Sequence, residues 1–337
     1  MTATIKDVAR EANGSVASVS RALNGRGNMS DATRARVLKA AQRLDYAPNG
    51  MARSLITRRT HTVGALLPEL YGEFFSELIR GLDLAARAHG LHLMVSSSHG
   101  NAAEAAAAIR ALHGRVDGLL LMSPYADAAF LGTHLRAGLP TVVMNTQCAD
   151  ERVPSFSVDN YGGAQAVVRH LIGLGHRRIA HIAGPQDNFE AAERLRGYRD
   201  ALAELAPDQE PEVLPGGFTE ESGHRAGQAI AAMARRPDAV FAGNDSMAIG
   251  CLFALAAAGL RVPVDIALAG FDDIPISRFV NPPLTTCRVR IADLGRHAMD
   301  RLIAVVTEST VAEVETHTVS PELVVRASCG AGSASTR

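Results

Sequence analysis

Apolar residues first recur along this chain at helical spacing and only later in short unbroken runs, so two kinds of structure follow one another. In the stretch IKDVAREANGSVASVSRALNG, residues 5–25, Ile5, Val8, Ala9 and Ala12 share one face of a helix of about 3.6 residues per turn, with Thr4 as N-cap and Asp7 in the first turn. Asn13-Gly14 interrupts the pattern with two residue types that tolerate positive φ, and Ser15 then caps a second helix, Val16 to Leu23, which Asn24-Gly25 stops. Two helices of about two turns around so short a corner match the helix-turn-helix pattern, whose second helix enters the major groove of DNA. Asn13 can supply the left-handed turn there. A Gly14 of ordinary φ brings no side chain to the corner, and a valine in its place is expected to bury apolar surface worth about 1 to 2 kcal/mol. A third helix is expected from Ser30, with Val37, Ala41 and Leu44 inward. Pro48-Asn49-Gly50 closes this all-helical unit, 1–47, and 48–61 reads as a linker with helix potential.

From Thr62 the pattern changes to apolar runs of buried-strand type, 62–68, 91–98, 116–123 and 139–145, with amphipathic helices between; in the first of these helices Phe75, Ile79, Leu82 and Ala86 share a face. A second series follows at 177–184, 238–244 and 265–273. Such alternation implies parallel sheets, and two series imply two similar sheets rather than one large one. Ligands of doubly wound domains sit at the carboxyl ends of strands, which puts Asn145, Asn244, Asp245, Asp272 and Asp273 in suggestive places. The small, polar end of the chain, 329–337, is expected to fray.

Charge sharpens the division. The whole chain carries a net −1, but residues 1–61 hold 11 Lys and Arg against 4 Asp and Glu, leaving 23 against 31 for the rest. A basic arm on an acidic body fits a protein of which one end meets a polyanion. Cys148, Cys251, Cys287 and Cys329 are scattered, with no C-x-x-C pair and no His at ligand spacing, so a reduced cytoplasmic protein without a metal site is expected. The N-terminus lacks a signal-peptide core and no long uncharged apolar run occurs, so neither secretion nor membrane insertion is expected. With no Trp, the cores must be aliphatic.

The chain resembles the LacI-type (lactose repressor-like) bacterial transcription regulators over roughly residues 4–328. The specific part is TIKDVAREA with SVASVSRALNG and RARVLKAAQRLDYAPNGMARSL, which is similar to that family's DNA-binding headpiece and hinge helix. Later, FFSELIRGLD, RVDGLLLM, RLRGY, FAGNDSMAIG, AGFDDIP and PPLTT resemble its effector-binding core, in the family's order. The resemblance implies a small all-α helix-turn-helix headpiece plus an α/β two-lobed periplasmic-binding-protein-like core with parallel sheets. Its lobes would interleave, one from 62–158 and 289–317, the other from 159–288 and 318–328. It also implies a homodimer on a pseudo-palindromic double-stranded operator, a small-molecule effector between the lobes, and no cofactor.

By the same resemblance, Val16, Ala17 and Arg21 occupy the exposed recognition-helix positions. Arg can bond guanine O6 and N7 in pairs, while Val and Ala offer methyl contact. Ser18 and Ser20 suit phosphate or local capping. Thr4, Ser15, Asn24 and Arg53 complete the DNA-facing set, and Leu55 matches the hinge leucine that wedges into the minor groove. In the core, Arg194 and Asp272 match positions that hold sugar hydroxyls, Phe74, Phe75 and Phe218 would wall the cleft, and Asn188, Glu190 and Asn244 would add polar contacts. The purine-responsive branch carries a basic residue near Asn188, which this chain lacks. Glu190 and Asp272 would repel an anion, so a neutral or amino-bearing saccharide is favoured over a nucleobase or another metabolite. Two other classes compete. An extracytoplasmic sugar-binding protein would need a signal peptide and would have no use for the basic helices. An enzyme on a doubly wound fold would need a catalytic signature, and neither G-x-x-x-x-G-K-[ST] nor G-x-S-x-G occurs.

Overall fold

The computed structural model describes residues 3–23, 29–46, 59–125, 128–135, 138–146, 153–308 and 316–331 of the 337. They fall into two units, 1–60 and 61–337.

In the first unit, α1 (Ile5–Glu11), α2 (Val16–Leu23) and α3 (Asp31–Arg43) enclose an aliphatic core of Val8, Ala9, Ala12, Val19, Ala22, Val37, Ala40 and Ala41. The capping residues act where expected. Thr4 donates through its N–H and its hydroxyl to the Asp7 carboxylate at 3.0 and 2.6 Å, and these bonds hold that carboxyl below its ordinary value. Ser15 and Ser30 accept from Ser18 N and Thr33 N, three residues on in each helix. At the corner Asn13 is the left-handed residue, φ 49°, and Gly14 is not. Arg36 of α3 donates from Nε to Ala12 O at 2.9 Å, tying the third helix to the turn. A Cβ placed on Gly14 meets only Ala12 O, at 4.0 Å, and the residue is exposed. The space expected to bury a valine is therefore open solvent.

In the second unit, one six-stranded sheet is built from β1 (Thr62–Leu67), β2 (His92–Ser97), β3 (Gly118–Met122), β4 (Thr141–Met144), β5 (Ser155–Val158) and β11 (Thr316–Val319), in the order β11-β5-β4-β3-β1-β2. The other comprises β6 (Ile179–Ile182), β7 (Glu212–Leu214), β8 (Ala239–Ala242), β9 (Ala267–Asp272), β10 (Thr285–Arg288) and β12 (Glu322–Val324), in the order β12-β10-β9-β8-β6-β7. All neighbours are parallel except the edge strand β12, which runs antiparallel to β10, a common exception in such sheets. Central strands are buried on both faces, as their continuous apolar runs require.

Helices α4 (Glu73–Ala88), α5 (Ala102–Leu112), α6 (Ala128–His134) and α11 (Ile291–Glu308) accompany the first sheet, and α7 (Asn160–Gly173), α8 (Phe189–Leu205), α9 (Glu220–Ala232) and α10 (Asp245–Ala257) the second. The chain thus passes between the lobes after β5, after β10 and after β11. The third passage follows Val319, two residues beyond the expected boundary, because β11 pairs with β5 from Thr316 to Val319. Close approach of α4 to α11 depends on Gly81, where a Cβ would lie 2.0 Å from Ala292 O.

Cys329 departs from the expectation of a frayed tail. It is fully buried, with His170 Nε2 3.4 Å from its Sγ, because the 3-10 turn Ala327–Cys329 packs under β10: Ser328 Oγ donates to Leu268 O and accepts from Thr285 N. Residues 332–337 lie outside the described residues.

Gly14→Ala tests the corner. With no space to fill but a looser unfolded chain to restrict, it should raise the opening free energy of the Val19 and Ala40 amides by about 0.4 to 1 kcal/mol in native-state hydrogen exchange. A decrease would mean that Gly14 takes positive φ in solution.

Candidate ligand cleft and nucleic-acid interface

In the first unit α2 turns Val19 and Ala22 inward, which leaves Val16, Ala17 and Arg21 exposed on the opposite face. Val16 is 41% exposed. Arg21 rests its Nε on Ala17 O, 3.3 Å away within the same helix. The Ser15 and Ser18 hydroxyls bond each other at 2.9 Å, so both serve the cap; Ser20 is half-buried. Thr4, exposed at the start of α1, is engaged by Asp7. Asn24, Arg53 and Leu55 lie outside the described residues. Side chains able to read base edges are therefore concentrated at Val16, Ala17 and Arg21.

In the second unit a cleft of about 790 Å³, counting its open mouth, lies at the carboxyl ends of the strands. The eight residues named from the family resemblance as effector-binding line it: Phe74 and Phe75 at the start of α4, Asn188 as N-cap of α8, Glu190 and Arg194 within α8, Phe218 before α9, Asn244 as N-cap of α10, and Asp272 at the end of β9. The sequence reading missed Glu69, Tyr71 and Glu73 after β1, Tyr125 after β3, and Glu220 with Ser246 on the lobe-two side. The strand-end rule applied to β1 and β3 would have found the first four.

Arg194 is the centre of the cleft floor. It is 4% exposed, and its guanidinium lies 3.9 Å from the Phe271 ring centroid and 5.6 Å from that of Phe218. Its Nε donates to Asn160 Oδ1 at 2.8 Å and Nη1 to Gly243 O at 2.5 Å, while Nη2 lies 3.3 Å from Asp272 Oδ1 and 4.0 Å from Glu190 Oε1. The two acids are themselves buried. Burial pushes Glu190 up to about 7, Arg194 opposing and Asp272 adding, and pushes Asp272 up to about 6 against the pull of Arg194. The floor therefore holds carboxyls that exchange protons near neutrality, which suits ligands rich in hydroxyl or amine donors.

Two polar residues prove to be supports. Asn244 accepts from Met247 N and donates to Phe218 O at 3.1 Å, holding Phe218 at φ 64° with its ring over Gly184, where a Cβ would come within 2.5 Å of the ring. Asn188 accepts from Ala191 N at 3.0 Å. Of the other strand-end acids, Asp245 and Asp273 do not line the cleft. Asp245 is fully buried, accepts from Thr286 Oγ1 and Ile274 N, and is driven well above its ordinary value by burial. Burial opposes the charge of Asp273, but hydrogen bonds from Arg288 and Arg326 hold its carboxyl below the ordinary value. Both pin the segment after β9. Asn145, at the end of β4, does reach the floor and donates from Nδ2 to Glu190 Oε1 at 2.8 Å.

The lobes also meet through Phe189 N to Pro124 O at 3.2 Å and Ile276 N to Glu73 Oε2 at 2.8 Å. Among the described residues no group of His, Cys, Asp and Glu has the arrangement of a metal site, and no helix is long and apolar enough to cross a membrane.

Comparison with known proteins matches both units. Residues 4–49 match the model of bacterial regulatory proteins of the lacI family, and residues 168–329 that of the periplasmic binding protein-like domain. The chain is 37% identical over 313 residues to the ribose operon repressor of Escherichia coli strain K12, covering 91% of this chain and 94% of that protein. Among solved structures it is similar to a Lac repressor dimer bound to operator and the anti-inducer ONPF, with TM-score 0.87, 27% identity and coverage of 98% and 99%. It is also similar to a complex of the transcriptional regulator CelR with cellobiose, with TM-score 0.72, 34% identity and coverage of 97% and 99%.

Removing the central cation should expose the cost of the buried acids. Because Glu190 and Asp272 titrate above their ordinary values when folded, they favour the folded state most below about pH 4, and that contribution is lost as pH rises through 6 and 7. Arg194→Ala should therefore destabilise the core by about 3 to 5 kcal/mol at pH 8 and by clearly less at pH 5.5, measured by urea unfolding. A loss independent of pH would assign Arg194 to packing alone.

Proposed function

The chain belongs to the lacI family of bacterial regulatory proteins, whose members are transcriptional regulators and not enzymes, and from that premise we propose an effector-controlled repressor. It acts in the cytoplasm as a homodimer whose headpieces hold a pseudo-palindromic operator, and a saccharide bound between the lobes governs that hold. Val16, Ala17 and Arg21 meet base edges, Thr4, Ser15, Ser18, Ser20, Asn24 and Arg53 support the contact, and Leu55 in the hinge 48–61 wedges into the minor groove.

The cleft carries the saccharide reading. Arg194 with Asp272 and Glu190 forms a floor for hydroxyl groups, and Phe75 and Phe218 with Tyr71 and Tyr125 line apolar walls for a sugar face. The cellobiose complex of the similar regulator and the name of the ribose operon repressor point the same way. For the dimer, support comes from the similar Lac repressor dimer and from the large apolar side chains Phe253, Val264 and Phe279, which are 66%, 68% and 75% exposed in the single chain.

Binding to palindromic and random duplexes over a range of salt, with and without a panel of mono- and disaccharides, tests the proposal. Arg21→Ala should lower affinity for the operator by about 1 to 3 kcal/mol while sparing random DNA; equal weakening on both would make Arg21 a phosphate contact. In the same assay Asp272→Asn should keep operator binding but lose the response to the active saccharide. A variant that responds at the wild-type ligand concentration would place the effector elsewhere.

A further inference from the structure

One of the bonds between lobes joins two buried side chains. Asn145 is 2% exposed and lies at the carboxyl end of β4 with φ 45°; it donates from Nδ2 to Oε1 of Glu190, which is 7% exposed on α8. The other end of the same carboxamide, Asn145 Oδ1, is buried without any hydrogen-bond donor. The charged groups facing Glu190 are Arg194, 4.0 Å away on its own helix, and Asp272 at the end of β9; lobe one presents it with the uncharged Asn145.

An ionised carboxylate only accepts, so it satisfies the amide N–H and leaves the amide oxygen unserved. A protonated carboxyl carries one donor and one acceptor on the same planar group, as a carboxamide does, and the two match as a cyclic pair. We infer that Glu190 and Asn145 form a proton-operated latch between the lobes. A proton taken from solvent onto Glu190 Oε2 makes that O–H donate to Asn145 Oδ1, giving two bonds across the cleft; its return to solvent leaves one. Burial of Glu190, which moves its proton exchange to about 7, supports this, since the latch then works in the range where small changes of pH matter. The inference holds for any class of ligand in the cleft.

When the lobes part, Glu190 returns to water and to its ordinary value of 4.5. Linkage between 4.5 and about 7 then makes the ratio of closed to open molecules rise about tenfold from pH 8 to pH 6. The test uses the full-length chain without ligand. Small-angle scattering reports lobe separation, and NMR follows the Asn145 side-chain amide and the Glu190 carboxyl carbon between pH 5.5 and 8.5. The two resonances should titrate together with a midpoint near 7 while the molecule closes. In Glu190→Gln, whose amide offers a donor and an acceptor at every pH, the tenfold component should vanish with the lobes held closed. In Asn145→Ala, which removes the paired amide but not the burial of Glu190, the lobes should be further open at every pH. An Asn145 amide that does not move during the titration, or a tenfold component that survives in Glu190→Gln, overturns the latch. Should the variants fail to fold, the wild-type titration decides alone.

Discussion

A guanidinium removed from water must be surrounded, and the core of this protein is arranged around that need at Arg194. Its donors reach the first residue of α7 through Asn160, the loop after β8 through Gly243 O and the end of β9 through Asp272, while Phe271 lies against its face. Three segments distant in sequence are brought to Arg194 because each supplies an acceptor or a surface that a buried cation requires. The same requirement makes the floor acidic. Glu190 and Asp272 are tolerable at 7% and 4% exposure because Arg194 opposes the burial that would otherwise drive them further toward neutrality.

Around this floor the two lobes differ in character. Lobe two contributes the charged and hydrogen-bonded groups, held by caps: Asn188 and Asn244 begin their helices, and Asp245 and Asp273 fix the segment that follows Asp272. Lobe one contributes aromatic and main-chain surface from Phe75, Pro124 and Tyr125, with Glu69 and Glu73 beside them. A ligand anchored on one lobe and covered by the other favours their approach, because its interactions are complete only when both are present.

How much of this was legible follows from what each residue is doing. The helix-turn-helix and the central strands were readable because capping residues and unbroken apolar runs are local signals: Ser15, Ser30, and the runs at 118–122 and 239–242. Strands β5, β7, β10, β11 and β12 were not, since three or four residues such as SFSV, TTCR or THTV are too short and too polar to read as apolar runs and gain their identity from a neighbour. In the cleft, Arg194, Asp272 and Phe218 were carried by family resemblance. Asn145 was visible as a strand-end residue, but its partner across the lobes was not. Asp245 occupies an equally suggestive strand end and turned inward because Thr286 and Ile274 offer it donors, a tertiary fact with no local trace. Cys329 misled for the same reason: a small polar tail predicts fraying unless another element, here β10, provides a seat.

Regulation through such a cleft needs two arrangements of similar free energy. Away from the crossover segments, hydrogen bonds join the lobes at Pro124, Glu73 and Glu190, and each is worth about 1 kcal/mol net of the water it replaces. That is small enough for the lobes to part without ligand and for a ligand held between them to decide the balance. Changing a population from about 1:99 to 99:1 takes a differential affinity of about 5.5 kcal/mol, within the reach of a few hydroxyls on Asp272, Arg194 and Glu190. The headpiece core shares no residue with the cores of the lobes. A change of lobe arrangement therefore leaves the packing of α1 to α3 intact.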